Sequence, residues 1–169
     1  MNRRWVLATM FSAIGTAASA GRTVIKRIPR YRGPEITQVL VKKSERRMYL
    51  LNGKKVVKKY RVNLGFSPEG HKFEQGDGRT PEGLYWIDRS NVNSRYYLSL
   101  GISYPNAEDR KRAKAAGVDP GGDIFIHGGP RYRGEGGRDW TAGCISVTDR
   151  QMKWVFAMVK VGTPIYIDA

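Results

Sequence analysis

Short runs of β-branched and aromatic residues, separated by turns, dominate the chain from residue 36 onward. The clearest turn is Asn52-Gly53, which lies between strand-like runs at 47–51 and 55–64. An Asn-Gly dipeptide in that position favours a tight hairpin, because both residues tolerate positive φ. The same pattern predicts further strands, which span 36–41, 84–88, 96–102, 124–127 and 164–167. The sequence therefore predicts a mainly β domain.

Two segments have the end signals of helices. Asn106 precedes residues 107–116 and Gly117 follows them, which predicts a short helix with a cap at each end. Residues 148–151 (Thr-Asp-Arg-Gln) match a capping box and open a second helix, which we expect to end at Gly162. The apolar residues of this second helix recur at helical spacing and indicate core packing: Met152, Val155, Phe156 and Val159. The predicted fold class is thus mainly β with short helices.

The first twenty residues are typical of a signal peptide. Arg3 and Arg4 precede an apolar stretch, and residues 18–20 (Ala-Ser-Ala) match a small-x-small cleavage site. A retained membrane anchor is the alternative, although the stretch is short for a bilayer span. Residues 21–34 are basic, contain two prolines and are predicted to form a linker. We therefore expect an exported domain over 35–169, in the periplasm or cell envelope, with membrane contact only through the signal peptide.

The chain is strongly basic, with a formal net charge of +15. Removal of residues 1–20 takes away two arginines and no acid, so the rest carries 28 − 15 = +13. Such an excess favours a polyanionic neighbourhood, whether nucleic acid, anionic lipid or an anionic polymer. Export and the absence of an RNP-type aromatic motif argue against nucleic acid as a partner. We expect Lys54, Lys55, Lys58 and Lys59 to lie on a solvated face or a protected sheet edge.

Cys144 is the only cysteine, so a disulfide within the chain is impossible. A lone cysteine is ordinarily a buried small hydrophobic residue. Its surroundings favour chemistry instead, because His127 and Cys144 each lie beside glycines at the end of an apolar run. A thiol needs a base to become the attacking thiolate, and imidazole is the usual one. A hydrogen-bonded structural histidine is the alternative for His127.

No cofactor is expected. One cysteine and two histidines argue against a structural zinc site, and the sequence contains no glycine fingerprint for a dinucleotide.

The order of motifs resembles the L,D-transpeptidase catalytic domain family (YkuD-like, ErfK-like), in its short exported subgroup. His127, followed by Thr141-x-Gly143-Cys144-Ile145, is similar to the family signature of a histidine and a Ser/Thr-x-Gly-Cys motif. Upstream segments extend the resemblance over about 36–168, and they comprise 64–72, 76–83, 103–107 and 120–128. The resemblance implies a β-sandwich-like catalytic domain bearing a few helices.

The resemblance also implies roles for individual residues. Cys144 would be the nucleophile and His127 its base, with the backbone carbonyl of Gly128 orienting the imidazole ring. The oxyanion donors would be the amides of Ala142, Gly143 and Cys144. An imidazolium partner would hold the pKa of the thiol below its ordinary value.

Two upstream residues are candidates for contact with the substrate. His71 competes with His127 as a base, but a structural or substrate-contacting role in the upstream turn suits it better. Arg79 would bind a substrate carboxylate bidentately, or pair locally with Asp77.

The segment between His127 and Cys144 supplies further candidates. Arg138, with Arg131 and Arg133, would form a rim over an anionic stem peptide, or lie in a solvated loop. Trp140 would be either a core residue or a lid over the same cleft.

The function implied by the resemblance is cysteine acyl transfer on peptidoglycan stem peptides, in cell-wall biogenesis or remodelling. Cys144 would attack the carbonyl of the third stem residue and release D-Ala, and an amine would resolve the thioester. The acceptor would be a second stem peptide, a lipoprotein lysine or water. Many members carry His and Arg where this chain has Ala142 and Ser146, so hydrolysis of the same L,D bonds stays an alternative. A non-catalytic wall-binding module is another.

Overall fold

The computed structural model describes residues 26–129 and 138–169. The predicted signal peptide, residues 21–25 of the predicted linker, and Arg131 and Arg133 lie outside the described residues. The described chain contains eight strands and two helices. The strands are β1 Gln38–Lys42, β2 Arg47–Asn52, β3 Lys55–Arg61, β4 Gly83–Asn91, β5 Ser99–Ile102, β6 Phe125–His127, β7 Ile145–Ser146 and β8 Pro164–Asp168. The helices are α1 Ala107–Ala116 and α2 Asp149–Met158.

The eight strands form one sheet in the order β3-β2-β1-β8-β4-β5-β6-β7. Neighbours are antiparallel except for the pairs β1–β8 and β6–β7, which are parallel. Strands from both halves of the sheet, together with α2, supply a single core cluster, which includes Val41, Leu50, Ile87, Ile126 and Val155. The sheet must therefore curl around that core. The prediction of a mainly β, sandwich-like domain is confirmed.

The β2–β3 hairpin turns at the predicted Asn-Gly dipeptide. Asn52 pairs with Lys55, and Gly53 has φ 54°, the left-handed conformation that a tight turn requires. β3 lies at the edge of the sheet, and its lysines are exposed. A lysine-rich edge resists pairing with strands of other chains, which agrees with the edge interpretation.

The two helices begin where the sequence predicts them. Asn106 and Thr148 each form a full capping box, and Gly117 ends α1 in the left-handed conformation. The second helix, however, ends at Met158 and not at Gly162, because the backbone of Val159 is already extended. Of the four predicted core residues, Met152 and Val155 are buried on α2, Phe156 is partly buried against the core, and Val159 is buried just after the helix ends.

The strand predicted over 96–102 is shorter in the structure and begins at Ser99. Tyr97 has φ 74°, which interrupts extended backbone geometry, so the strand begins at Ser99 and not at residue 96 as the apolar pattern predicts. The break frees Tyr96 from the sheet, and its ring contacts His127.

A buried carboxylate fastens α1 to the sheet. Asp109 is 3% exposed, and its carboxylate accepts hydrogen bonds from the Tyr85 hydroxyl (2.8 Å) and the Asn106 amide (3.0 Å). The His71 ring lies 3.0 Å from the same carboxylate, and Arg112 forms an ion pair with it. Residues of α1, of β4 and of the turn around His71 therefore all contact the Asp109 carboxylate.

We expect Asp109→Ala to lower the free energy of unfolding by about 3 kcal/mol, because it leaves the buried Tyr85 hydroxyl and the Arg112 charge without their partner. Urea unfolding followed by tryptophan fluorescence measures the change. Glu108→Ala is the matched control, since Glu108 is exposed in the same turn. Equal unfolding midpoints for the two variants would show that the carboxylate does not hold α1.

Candidate active site

His127 is the last residue of β6, and Cys144 immediately precedes β7, the strand that pairs with β6. β6 and β7 run parallel, with Ile126 opposite Ile145 and His127 opposite Ser146. Cys144 lies in the loop just before β7, and its thiol contacts the carbonyl of Asp123, a residue just before β6. The β6–β7 pairing thus brings the two predicted reactive residues to adjoining segments of the chain.

The loop that carries Cys144 is pinned by backbone pairing to residues 63–66. Asn63 and Ser146 exchange both of their backbone hydrogen bonds, at 3.0 and 2.8 Å. The Phe66 amide donates to the Thr141 carbonyl (2.8 Å), and the Thr141 amide donates to the Leu64 carbonyl (3.1 Å). Both ends of the motif loop are therefore fixed by one extended segment.

Side chains complete this attachment. The Asp139 carboxylate accepts from the Leu64 amide (3.0 Å) and pairs with Arg46 at 2.9 Å. The Thr80 hydroxyl accepts from the Gly65 amide (3.1 Å). Asp139 and Thr80 are both buried, so each satisfies an amide that water does not reach.

A hydroxyl shapes the turn before the cysteine. Thr141 Oγ1 donates to the Cys144 carbonyl (2.7 Å) and accepts from the Gly143 amide (3.2 Å). Gly143 has φ 129°, and a Cβ there would lie 2.6 Å from the Arg79 carbonyl oxygen, so only glycine fits. The Gly143 amide is engaged by Thr141 in this conformation, whereas Ala142 is exposed.

The ring of His127 is held on three sides. Tyr96 stacks on it at 4.6 Å between ring centroids, and Trp140 approaches edge-on at 5.7 Å. Nδ1 lies 2.5 Å from the Gly128 carbonyl oxygen. Because a carbonyl only accepts, Nδ1 carries the hydrogen, and the neutral ring keeps its lone pair on Nε2. Burial lowers the pKa of His127, against the opposing effects of the Gly128 carbonyl and the charge of Asp149.

The Cys144 thiol is half-buried and donates to the Asp123 carbonyl oxygen at 3.5 Å. Burial raises the pKa of the Cys144 thiol to about 11. The expectation of a lowered thiol pKa is therefore wrong for this conformation. Desolvation outweighs the hydrogen bond from the Phe125 backbone and the nearby positive charge of Lys72, and no hydrogen bond within the described residues joins Sγ to His127. At neutral pH the Cys144 thiol and the His127 imidazole are therefore both uncharged.

A partly open pocket of about 400 Å³ adjoins the thiol. Its lining combines small and polar residues, namely Lys72, Gln75, Gly76, Gly121, Gly122, Asp123, Ile124 and Ala142 beside Cys144. Lys72 is 3% exposed and its ammonium pairs with Asp77 at 2.8 Å. The Asp77 carboxylate also accepts from the backbone amides of Phe73, Glu74 and Arg79. Asp77 therefore contacts Arg79 through its backbone amide and not through the guanidinium.

The family model of the L,D-transpeptidase catalytic domain (YkuD) matches residues 36–167. This chain belongs to the L,D-transpeptidase catalytic domain family. The resemblance inferred from the motifs is confirmed.

Three relatives illustrate the similarity. YafK of Escherichia coli (strain K12), which carries the name L,D-transpeptidase, is 34% identical over 93 residues, covering 53% of this chain and 32% of YafK. The crystal structure of the helical cell shape determining protein Pgp2 from Campylobacter jejuni is 25% identical, with a TM-score of 0.60, over 81% of this chain and 49% of Pgp2. The structure of Bd1075 from Bdellovibrio bacteriovorus matches with 25% sequence identity and a TM-score of 0.56, over 79% of this chain and 48% of the Bd1075 chain. The chain thus spans about a third of YafK and about half of the two solved structures.

The predicted substrate contacts occupy different places around this L,D-transpeptidase domain. His71 accepts from the Glu82 amide at Nδ1 (3.0 Å) and faces Asp109 with Nε2, so both ring nitrogens have protein partners. Arg79 and Arg138 are exposed. Trp140 is half-buried beside His127, and its indole nitrogen has no hydrogen-bond partner among the described residues. Their roles toward substrate stay predictions.

Sequence patterns missed several neighbours of the reactive pair. Tyr96 stacks on His127, Asp149 accepts from the Gly129 amide (2.9 Å), and Asp123 accepts from the thiol. Only Asp149 had a local signal, because an acidic residue in the first turn of a helix often reaches backbone amides near that end. The other contacts join residues that are distant in sequence.

No group of three or more metal-ligating side chains lies together within 26–129 and 138–169. In the same ranges no helix has the length and apolar character needed to cross a bilayer. Independence from a cofactor stays a prediction.

We expect iodoacetamide to label native Cys144 at about pH 7.5 more slowly than the urea-unfolded chain, by on the order of 10²-fold. The native thiol has a pKa of about 11, and an unfolded thiol has its ordinary value of about 8.5. The labelling rate of the native chain should keep rising above about pH 9. Cys144→Ala is the blank, since no other thiol is present. A plateau below about pH 7 would instead indicate a preformed thiolate–imidazolium pair.

Proposed function

We propose that this domain is a cysteine acyl-transferase that acts on peptidoglycan stem peptides. The observation that carries the proposal is that the β6–β7 pairing joins the segments that carry His127 and Cys144, with the Gly128 carbonyl holding the ring tautomer. Membership of the L,D-transpeptidase catalytic domain family supports the same chemistry. Because the chain covers only part of its relatives, the activity of the whole protein belongs to this proposal.

The first step starts from a neutral thiol and a neutral imidazole. Sγ leaves the Asp123 carbonyl, attacks the carbonyl carbon of the third stem residue, and passes its proton to Nε2 of His127. The amides of Ala142 and Cys144 stabilise the oxyanion, joined by Gly143 once its amide leaves Thr141. As the tetrahedral intermediate collapses, Nε2 returns the proton to the departing amine of D-Ala. A thioester remains on Cys144.

The second step releases the acyl group. An acceptor amine attacks the thioester carbonyl, and His127 takes the proton that the amine loses. The C–S bond then breaks, and the thiol regains its proton from Nε2. The acceptor is a second stem peptide or a lipoprotein lysine.

The pocket beside Cys144 suits an extended peptide. Gly121 and Gly122 contribute backbone only, which leaves room for a chain to approach the thiol. The excess of cations over the whole chain favours an anionic ligand such as the stem peptide.

Hydrolysis of the same L,D bond is the second candidate. It is favoured by Ala142, whose methyl group lies in the pocket wall where many family members carry histidine. The acceptor side of the pocket therefore offers no titratable side chain at this position to an incoming amine. Water needs less room and less orientation than a second stem peptide.

Export to the periplasm or cell envelope belongs to this proposal. The signal-peptide pattern of residues 1–20 supports it, and the polymer that the proposed reaction uses lies in that compartment.

Incubation with purified tetrapeptide muropeptides tests the reaction, and mass spectrometry identifies the products. We expect loss of D-Ala, an acyl-enzyme adduct on the wild-type chain, and a cross-linked product if an amine is the acceptor. Cys144→Ala should abolish all three, because it removes the only thiol. Loss of D-Ala without cross-linking would assign the hydrolase, and identical products from Cys144→Ala would overturn the proposal.

We expect His127→Ala to lower kcat/KM by about 10² to 10⁴-fold, the range that a general base contributes. Because burial lowers the pKa of His127, the acid limb of the wild-type pH profile should lie below the ordinary histidine value of 6.5. His71→Gln is the matched control, since His71 is hydrogen-bonded to Asp109 and Glu82 outside the pocket. It should keep both kcat and the acid limb. If the two variants exchanged these effects, His71 would be the base.

A further inference from the structure

A second concave surface lies where the edge strand β3 and helix α2 meet. One groove of about 450 Å³ is bordered by Tyr31, Tyr60, Lys58 and Trp154. An adjoining groove of about 330 Å³ shares Trp154 and lies against residues 27–29. Neither groove shares a lining residue with the Cys144 pocket. We call the two grooves together the Trp154 surface.

The charge of the Trp154 surface is of one sign. Its lining contains five cations and no carboxylate, the cations being Arg27, Lys58, Lys59, Arg150 and Lys153. None of the five pairs with a carboxylate of the described residues. Uncompensated cations around a groove attract an anion, and a guanidinium binds a carboxylate through two hydrogen bonds.

Aromatic rings line the same grooves. Trp154 is 43% exposed on α2, although neighbouring Met152 and Val155 are fully buried in the core. The rings of Tyr31 and Tyr60 are half-buried across the groove. The fold does not use the open face of Trp154, which is free to pack against the apolar face of a sugar ring.

We propose that the Trp154 surface binds the anionic glycan polymer of the cell wall, separately from the catalytic pocket. The proposal rests on the proposed function, since the polymer is the one that carries the stem peptides. Aromatic rings take the sugar faces, and the flanking cations take the carboxylates of the stems. Binding here holds the enzyme on its polymer, so it raises the local concentration of stem peptides at Cys144.

The concave shape favours this ligand over an anionic membrane. A bilayer is entered by apolar side chains that protrude, whereas these rings line grooves. Single-stranded nucleic acid also combines phosphates with stacking bases, so it is a competing ligand in the test.

Sedimentation with purified, insoluble peptidoglycan sacculi measures the binding, using the full chain in a Cys144→Ala background so that no turnover occurs. We expect Trp154→Ala to weaken binding by about tenfold or more, as loss of a central aromatic contact does. The charge reversals Lys58→Glu and Lys153→Glu together should weaken it similarly, and rising salt should weaken the parent protein. These lysines lie at the surface, so the second variant keeps the test valid if Trp154→Ala unfolds.

Matched controls change the same residue types elsewhere. Trp86→Ala removes a tryptophan that is 50% exposed on β4, and Lys54→Glu with Lys111→Glu reverses two exposed lysines outside the surface. Both controls should bind sacculi like the parent. The proposal would be overturned if the Trp154→Ala variant and the Lys58→Glu, Lys153→Glu variant sedimented with sacculi as much as the parent protein does. So would binding of the parent to a single-stranded oligonucleotide or to anionic phosphatidylglycerol vesicles but not to sacculi.

The binding proposal for the Trp154 surface and the catalytic proposal can be tested separately. Turnover of soluble muropeptides, measured with Cys144 present, should be unchanged in Trp154→Ala. Turnover without Trp154-dependent sedimentation would overturn only the proposal that the Trp154 surface binds the wall polymer. Trp154-dependent sedimentation without turnover would overturn the catalytic proposal and leave a wall-binding protein.

Discussion

Five consecutive backbone amides, from Val62 to Phe66, hold the reactive loop in place. Each amide donates to a different acceptor atom, and the acceptors are Arg46 O, Ser146 O, Asp139 Oδ1, Thr80 Oγ1 and Thr141 O. A buried amide without a partner is costly, so the segment enforces the positions of all five acceptors at once. The geometry at Cys144 therefore depends on a segment that carries no reactive side chain.

The same burial that orders the site sets its charge state. Desolvation raises the pKa of Cys144 and lowers that of His127, so both shifts favour the neutral pair. A neutral thiol reacts slowly with oxidants and electrophiles, which protects the lone cysteine of a protein predicted to be exported. In the proposed mechanism the thiolate forms only as the acyl donor is attacked, when Nε2 of His127 takes the proton.

Two groups of positively charged side chains can be distinguished in the fold. Lys43, Arg46 and Lys72 are shielded from solvent and form ion pairs with carboxylates, so their charges are used within the fold. The cations of the Trp154 surface face solvent without such partners. Net charge alone therefore says little about the ligand, whereas the place of each cation in the fold separates structural charges from those available for binding.

The sequence by itself determined the features that depend on near neighbours. The Asn52-Gly53 hairpin, the capping boxes at Asn106 and Thr148, and the His–Cys motif all follow from contacts or spacings within a short stretch of chain. Only the tertiary structure decided the early end of α2, the break at Tyr97, the pairing of Asp139 with Arg46, and the raised pKa of the thiol. These features depend on burial and on residues far apart in sequence, and both exist only once the sheet has curled around its core.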